Sequence, residues 1–372
     1  MNNAQKQHKQ RVQRHLTTML LSGLTLCLFL LSACASNNGN TNAQVNSTTI
    51  ISTPTIDATL KNQGTTQLQT FQQWISLMQQ YGGDSATYQQ QYTADQQALQ
   101  SALTTTSYKA TLNTLQTHIQ AIQLPAMKAE SQSLQQKLVD QAKSWGQQHQ
   151  FHNAFDNTNY PLGYEYSNNG MGGWAKDELA SAQTLADYQQ AVEDINMYLT
   201  NFQAMTANTG DKTPYNQPHQ TDAQLMQHYN KTNGKVIIVS LEEQAMRVYD
   251  KGKLVNAFLV TTGRPDRPSL PGVWWVEGKQ SPTVFKAGVP KTSPYWYPDT
   301  PINYAIQYHS QGYFIHDSWW RADYGPGTNF PHADSSGDSF SSQGSHGCIN
   351  MSKDNAAWLY TFVKLYTSII IY

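Results

Sequence analysis

Charge is scarce in this chain. Only 13% of its 372 residues are Asp, Glu, Lys or Arg, and no block of basic residues stands out. Without such a block, a nucleic-acid partner is not expected. No His-Glu-x-x-His and no Cys-x-x-Cys occurs, so the common zinc spacings are missing. A zinc set drawn from His309, His316, His332, His346, Cys348 and Asp317 has no repeated spacing behind it, and neither a metal nor a cofactor is expected. Cysteine is equally sparse: of three, Cys27 and Cys34 lie in or at the end of an apolar N-terminal run, which leaves Cys348 alone. A lone thiol outside the cytoplasm is open to oxidation and cross-linking, so its retention argues for a use. His346 two residues before it, and His316 upstream, make that use a nucleophile.

The N-terminus points to that compartment. Met1 to His15 carries Lys6, Lys9, Arg11 and Arg14 and no acid, and an apolar run from Leu16 to Leu31 follows. The stretch resembles a bacterial signal peptide. Its end, Leu31-Ser32-Ala33-Cys34, resembles a lipoprotein box with Cys34 as the lipidated residue; the other reading is a plain membrane anchor. Either way the remainder is expected outside the cytoplasm, tethered to the membrane and facing the cell wall. Without residues 1–33, 20 basic residues stand against 25 acidic ones. Residues 34–64 are polar and Thr-rich and read as a flexible tether.

Residues 65–209 take a helical period. Phe71, Trp74, Ile75 and Met78 fall at i, i+3, i+4, i+7; Leu112, Leu115, Ile119 and Ile122 repeat the stripe, as do Leu185, Tyr188, Val192, Ile195, Leu199 and Phe202. Four or five helices are expected, broken at Gly82-Gly83, at Pro125 and over Phe151 to Lys176. That last stretch interleaves Tyr160, Tyr164, Tyr166 and Trp174 with Gly and Asn. It reads as a long loop packing its own aromatics, or as a sugar-stacking surface, and no site residue is assigned there.

A linker over 210–232 holds Pro214 and Pro218, with a short helix near Thr221-Asp222. Beyond it the period falls to two. Val236 to Ser240, Ala245 to Tyr249, Leu254 to Thr262, Gly272 to Val276, Tyr304 to Tyr308 and Gly312 to Ile315 read as strands. An amphipathic helix, Asp354 to Leu365, and a strand, Ser368 to Tyr372, close the chain. The fold class is therefore α+β: an all-α helical bundle followed by a β-rich domain over 233–372.

Within that domain, Val236 to Tyr249, Thr261-Thr262-Gly263-Arg264-Pro265, Pro271-Gly272-Val273-Trp274, Ser293-Pro294-Tyr295-Trp296, Phe314-Ile315-His316-Asp317 and Ser345-His346-Gly347-Cys348-Ile349-Asn350 follow in order. Together they resemble the L,D-transpeptidases, the YkuD-type enzymes that remodel bacterial peptidoglycan. The helical region carries no such resemblance. The resemblance implies that Cys348 attacks the carbonyl on the L-centre of the third residue of a stem tetrapeptide, releases D-alanine and passes the acyl group to an acceptor amine as a 3→3 cross-link. Transfer to water would make it an L,D-carboxypeptidase. Peptidoglycan stem peptides are the implied partners and carbapenems the implied inhibitors. A non-catalytic wall-binding lipoprotein, with the helices as the working part, is the alternative from another class.

A thiol needs a base within hydrogen-bond reach, and the base needs an orienting partner. By the resemblance, His316 is the base, oriented by the main-chain carbonyl of Asp317, and His346 shapes the site. If the segment is extended, His346 and Cys348 share a face. Gly347 admits substrate, and the Gly347 and Cys348 N–H groups are candidate oxyanion donors. Substrate contacts fall to Ser345, Asn350, Asp317 and Trp296, with Ser345 and Asn350 holding the loop rather than reacting. Trp274, Trp296 and Tyr304 are candidate cleft walls. The 28 residues between His316 and Ser345 exceed the family's usual spacing and contain a rival base, His332. This insertion, with Trp319, Trp320, Arg321 and Tyr324, reads as a lid or as a surface loop.

Overall fold

The computed structural model describes residues 56–293 and 295–372. The expectations for the signal segment, the lipidation residue Cys34 and most of the tether lie outside the described residues. Among the described residues no helix is long and apolar enough to cross a membrane.

Helix α1 (Ala58–Gln80) starts where the Asp57 carboxylate accepts the Thr59 N–H. The last residues of the expected tether are thus helical, and Gly64 is buried because the Tyr108 hydroxyl occupies the space of a Cβ. Helices α2 (Ala86–Ser101) and α3 (Thr105–Gln148) follow, the latter opened by a reciprocal Thr104–Ser107 capping box. Pro125 does not separate two helices, as expected, but lies inside the 44 residues of α3. A proline in a helix interior costs roughly 3 kcal/mol through the lost N–H and ring clash. Here Ile119, Ile122, Ala126 and Met127 are buried on both sides of it, and the Tyr88 hydroxyl lies 3.5 Å from the Ala121 carbonyl, the acceptor that proline leaves unserved. Packing outweighs the local penalty.

The aromatic stretch after α3 is partly a hairpin, β1 (Gln150–Asn153) with β2 (Thr158–Pro161), then a 3₁₀ turn at Tyr164–Tyr166. Helices α4 (Met171–Ser181) and α5 (Leu185–Asn208) complete the helical region, and α6 (Gln220–His228) is the short helix expected within the linker, with His219 rather than Thr221 or Asp222 at its N-cap.

The β-rich part forms two main sheets. Strands β3 (Lys235–Ser240), β4 (Ala245–Asp250), β5 (Lys253–Leu259), β6 (Gly272–Trp275) and the terminal β13 (Ser368–Ile371) lie in the order β5-β4-β3-β13-β6. Strands β7 (Gly278–Gln280), β10 (Ala305–His309), β11 (Tyr313–Asp317) and β12 (Ile349–Met351) lie in the order β12-β11-β10-β7. Strands β8 (Thr283–Phe285) and β9 (Thr300–Ile302) pair separately, and α7 (Lys353–Phe362) precedes β13. The β-branched runs of β3 and β13 are buried on both faces, which is why they read as continuous apolar stretches.

One hydrophobic core joins both sheets to the C-terminal half of α3 and to α4, α5 and α6, with Leu138, Tyr166, Ile195, Phe202, Ile237 and Ile370 among its members. A second core, around Phe71, Leu115 and Ile122, belongs to α1, α2 and the first half of α3. The helical region is therefore not one self-contained bundle: its proximal half completes the β-rich core. A buried polar lock reinforces the junction. Asp222 of α6 accepts from Arg247 Nε (2.5 Å), Arg247 Nη2 (3.1 Å), the Tyr249 hydroxyl (2.7 Å) and the hydroxyl of the terminal Tyr372 (2.9 Å). Asn201 of α5 donates to the Ile371 carbonyl at 2.8 Å.

Candidate active site

Strand β12 begins directly after Cys348 and runs parallel to β11, with His316 opposite Asn350 and Ile315 opposite Ile349. Paired residues point to the same face, and so do residues two apart. His316 and Asn350 are thereby brought to one face of the sheet, and Cys348 lies in the bend that leads into β12, although 31 residues separate it from His316 in sequence.

His316 is 3% exposed, and burial pushes its pKa down to about 4. The Asp317 carbonyl lies 2.9 Å from Nδ1, and the Asn350 side-chain nitrogen 3.1 Å from Nε2. A carbonyl can only accept and an amide NH₂ can only donate, so the ring is neutral, with its proton on Nδ1 and a lone pair on Nε2. That is the tautomer a general base needs. Phe285 meets the ring edge-on at 5.0 Å and Trp320 lies at 6.1 Å, so aromatic groups close it off from water.

Cys348 is half-buried and unpaired. Its Sγ lies 3.7 Å from the Gly312 carbonyl, and burial pushes the thiol up to about 11, with the Phe314 N–H pulling the other way. Thiol and imidazole therefore both rest neutral.

The signature loop is not extended. Gly347 has φ +112°, and a Cβ there would meet the Tyr313 ring at 2.7 Å. Both glycine properties are needed at this one position. His346 stacks on Tyr297 at 5.7 Å, and the Cys348 sulfur is felt electrostatically at that same tyrosine. Desolvation of the His346 ring, with Arg264 and Arg267 nearby, lowers its pKa to about 4. The Ser345 hydroxyl donates to the Cys348 carbonyl (2.5 Å) and accepts the Gly347 N–H (3.0 Å). Of the two expected oxyanion donors, Gly347 is thus committed within the loop, which leaves the Cys348 N–H.

Other expected contacts fall elsewhere. The Asp317 carboxylate is fully buried and accepts from Asn303 Nδ2 and the Tyr304 N–H, both at 2.7 Å, so it holds the strand and does not face substrate. Asn350 addresses the base. Trp274 is core, with its indole N–H on the Leu270 carbonyl, and is no cleft wall. Trp296 is half-buried in the segment between β8 and β9, with Lys291 5.5 Å from its ring. His332 is held by the Phe330 carbonyl at 2.8 Å, 3.8 Å from Asp334, inside the insertion.

The insertion itself is packed. Arg321 donates to the Ser341 and Gln343 carbonyls at 2.8 Å, and Asp334 accepts the Ala322, Asp323 and Ser336 N–H groups. Phe330 stacks on Phe151 and Tyr160 of the β1–β2 hairpin at 4.9 Å. A residue that sequence reasoning passed over enters here. The Tyr164 hydroxyl donates to the Gly263 carbonyl (2.6 Å) and accepts from Asn329 Nδ2 (2.9 Å). The Gly263 N–H in turn donates to Ser269 Oγ (3.0 Å), which donates to the Gly347 carbonyl (2.8 Å). The helical region thus reaches the signature loop through hydrogen bonds. Nothing in the local pattern around Tyr164 signals this, because its partner is 99 residues away. Among the described residues no group of three or more His, Cys, Asp or Glu is placed to hold a metal ion.

Comparison with known proteins matches residues 234–371 to the YkuD family model, described as the L,D-transpeptidase catalytic domain. Curated relatives include L,D-transpeptidase 2 of Mycobacterium tuberculosis, 27% identical over 138 residues that cover 36% of this chain and 30% of that protein. L,D-transpeptidase 1 of the same species is 26% identical over 149 residues, 38% of this chain and 52% of the relative. The chain therefore spans about a third to a half of the length of these relatives. Among solved structures, a cysteine-to-serine variant of the Enterococcus faecium L,D-transpeptidase is 30% identical over 38% of this chain and 50% of its own, with a TM-score of 0.31.

Proposed function

We propose that the chain is a cysteine-dependent L,D-transpeptidase that forms 3→3 cross-links in peptidoglycan through a thioester acyl-enzyme. The observation that carries this reading is a buried His316 whose only ring proton faces the Asp317 carbonyl, leaving Nε2 as a lone-pair base, on the strand that pairs with the one Cys348 leads into. Because thiol and imidazole both rest neutral, attack and proton transfer proceed together. The Sγ–H proton passes to His316 Nε2 as the Asn350 amide yields that lone pair, and sulfur bonds to the carbonyl carbon on the L-centre of the third stem residue. The Cys348 N–H faces the developing oxyanion. Collapse breaks the C–N bond, His316 returns the proton to the departing nitrogen, and D-alanine leaves. An acceptor amine then attacks the thioester and gives up a proton through His316 to the released thiolate. If water takes the acyl group, the same steps give the L,D-carboxypeptidase product.

The export signal and the lipoprotein box support a location outside the cytoplasm, with Cys34 carrying the lipid and the described unit facing the wall. Intact-mass spectrometry after exposure to a carbapenem tests the nucleophile. One adduct is expected, on Cys348, lost in Cys348→Ala, strongly slowed in His316→Ala and retained in His332→Ala. An unmodified folded protein would overturn the enzyme reading and turn attention to the helices as a binding module. Product analysis with a disaccharide tetrapeptide then separates the cross-linked dimer from the hydrolysed tripeptide.

A further inference from the structure

The turn from Gly263 to Ser269 underlies the signature loop at both ends. Gly263 bridges to Ser345, the Arg264 N–H donates to the Ser345 carbonyl at 3.0 Å, and the Pro268 carbonyl is 3.3 Å from where a Gly347 Cβ would stand. This turn carries two arginines in different states. Arg264 is paired with Asp266 at 2.8 Å. Arg267 pairs with no carboxylate among the described residues; its Nε is buried without a hydrogen-bond partner, and its guanidinium lies 3.3 Å over the Tyr295 ring. Its charge is felt at His346 and at Tyr313, the residues on either side of the Cys348 loop.

A half-buried cation with an idle donor, flattened on an aromatic wall next to a nucleophile, is built to receive an anion. Stacking fixes the plane of the guanidinium, which suits the planar hydrogen-bonding geometry that carboxylates favour. Nothing in the acyl transfer itself requires a positive charge there, because the oxyanion is met by the Cys348 N–H.

We propose that Arg267 is a specificity residue that binds the C-terminal carboxylate of the donor peptide, the carboxylate of the amino acid that leaves. The assignment rests on the acyl-donor reading above and deepens it. Arg267 takes no part in proton transfer; it sets which peptide bond lies against Cys348, because a free carboxylate one residue beyond the scissile carbonyl is the feature it reads. Tyr295 holds the guanidinium in place, so the segment between β8 and β9 supplies one side of the subsite and the Gly263–Ser269 turn the other.

Binding is measured first, by calorimetry on the Cys348→Ala protein, with three tetrapeptides: the free acid, its C-terminal carboxamide, and a free acid in which lysine replaces the diamino acid and so removes the other carboxylate. The acid is expected to bind about tenfold to a hundredfold more tightly than the carboxamide, the scale of a charge-assisted hydrogen-bonded pair. Adding Arg267→Met erases that preference without changing the melting temperature, and Arg267→Lys restores part of it. A preference that survives Arg267→Met overturns the assignment. So does an Arg267→Met effect confined to the diamino-acid carboxylate, which would give the guanidinium to that group. Turnover is measured separately on protein with Cys348 intact. Acid-selective binding without release of D-alanine would sink the transpeptidase reading and leave the carboxylate subsite standing.

Discussion

Replacing Asp222 with asparagine removes the charge at the centre of the buried lock between α6 and the five-stranded sheet. Asp222 and Arg247 have no side-chain exposure, and the carboxylate accepts four hydrogen bonds. Asparagine has one acceptor oxygen. Its NH₂ group would face donors from Arg247 or from the Tyr249 and Tyr372 hydroxyls, and the guanidinium would keep only the partly exposed Glu243 as a counter-charge. Breaking one side of a buried pair costs about 3–5 kcal/mol, because the other charge is left uncompensated. For a folded unit of this size that corresponds to a melting point lower by roughly 4–7 °C. Urea unfolding followed by far-UV circular dichroism gives the free energy, and scanning calorimetry the melting point. The double variant Asp222→Leu with Arg247→Met removes both charges and is expected to recover most of the loss. Asp222→Asn within about 1 kcal/mol of the parent would refute the reasoning, as would a double variant no more stable than the single one.

Three further outcomes are expected. With the Cys348 thiol at about 11 and His316 at about 4, alkylation by iodoacetamide should be slow at pH 7 and rise steadily into the alkaline range, without a step between pH 6 and 8; a midpoint below pH 8 would show a resting thiolate–imidazolium pair instead. Gly347→Ala forces a left-handed backbone onto a residue with a Cβ and pushes it into the Tyr313 ring, so carbapenem acylation should fall at least tenfold while the fold survives; acylation at the parent rate would show that the loop tolerates the change. Expressing residues 210–372 alone strips the sheets of α3, α4 and α5 and exposes part of the shared core, so that fragment should be insoluble or loosely packed; a soluble, cooperatively folding fragment would show that the helices are a mere spacer.

Much of the fold was legible because it rests on local periodicity. The stripes of α1 and α5 and the β-branched runs of β3 and β13 each act within a few residues. Pro125 was misread for the same reason: a breaker signal is local, whereas the burial that keeps α3 continuous comes from helices on either side. The aromatics near Tyr160 were open to two readings because their partner, Phe330, lies in the insertion.

The site divides along the same line. The sequence by itself determined which atoms could react, since a lone cysteine in Ser-His-Gly-Cys-Ile-Asn and a histidine closing an apolar strand are chemical facts about the chain. Only tertiary structure decided that His316 pairs with Asn350 through the parallel register of β11 with β12, that His346 stacks on Tyr297, and that the Asp317 carboxylate is scaffold. It also decided that Tyr164, from the helical region, props the loop. The physical reason is range. Side-chain chemistry and backbone preference belong to single residues, but a hydrogen bond between residues tens or a hundred positions apart exists only once burial has closed the loop between them.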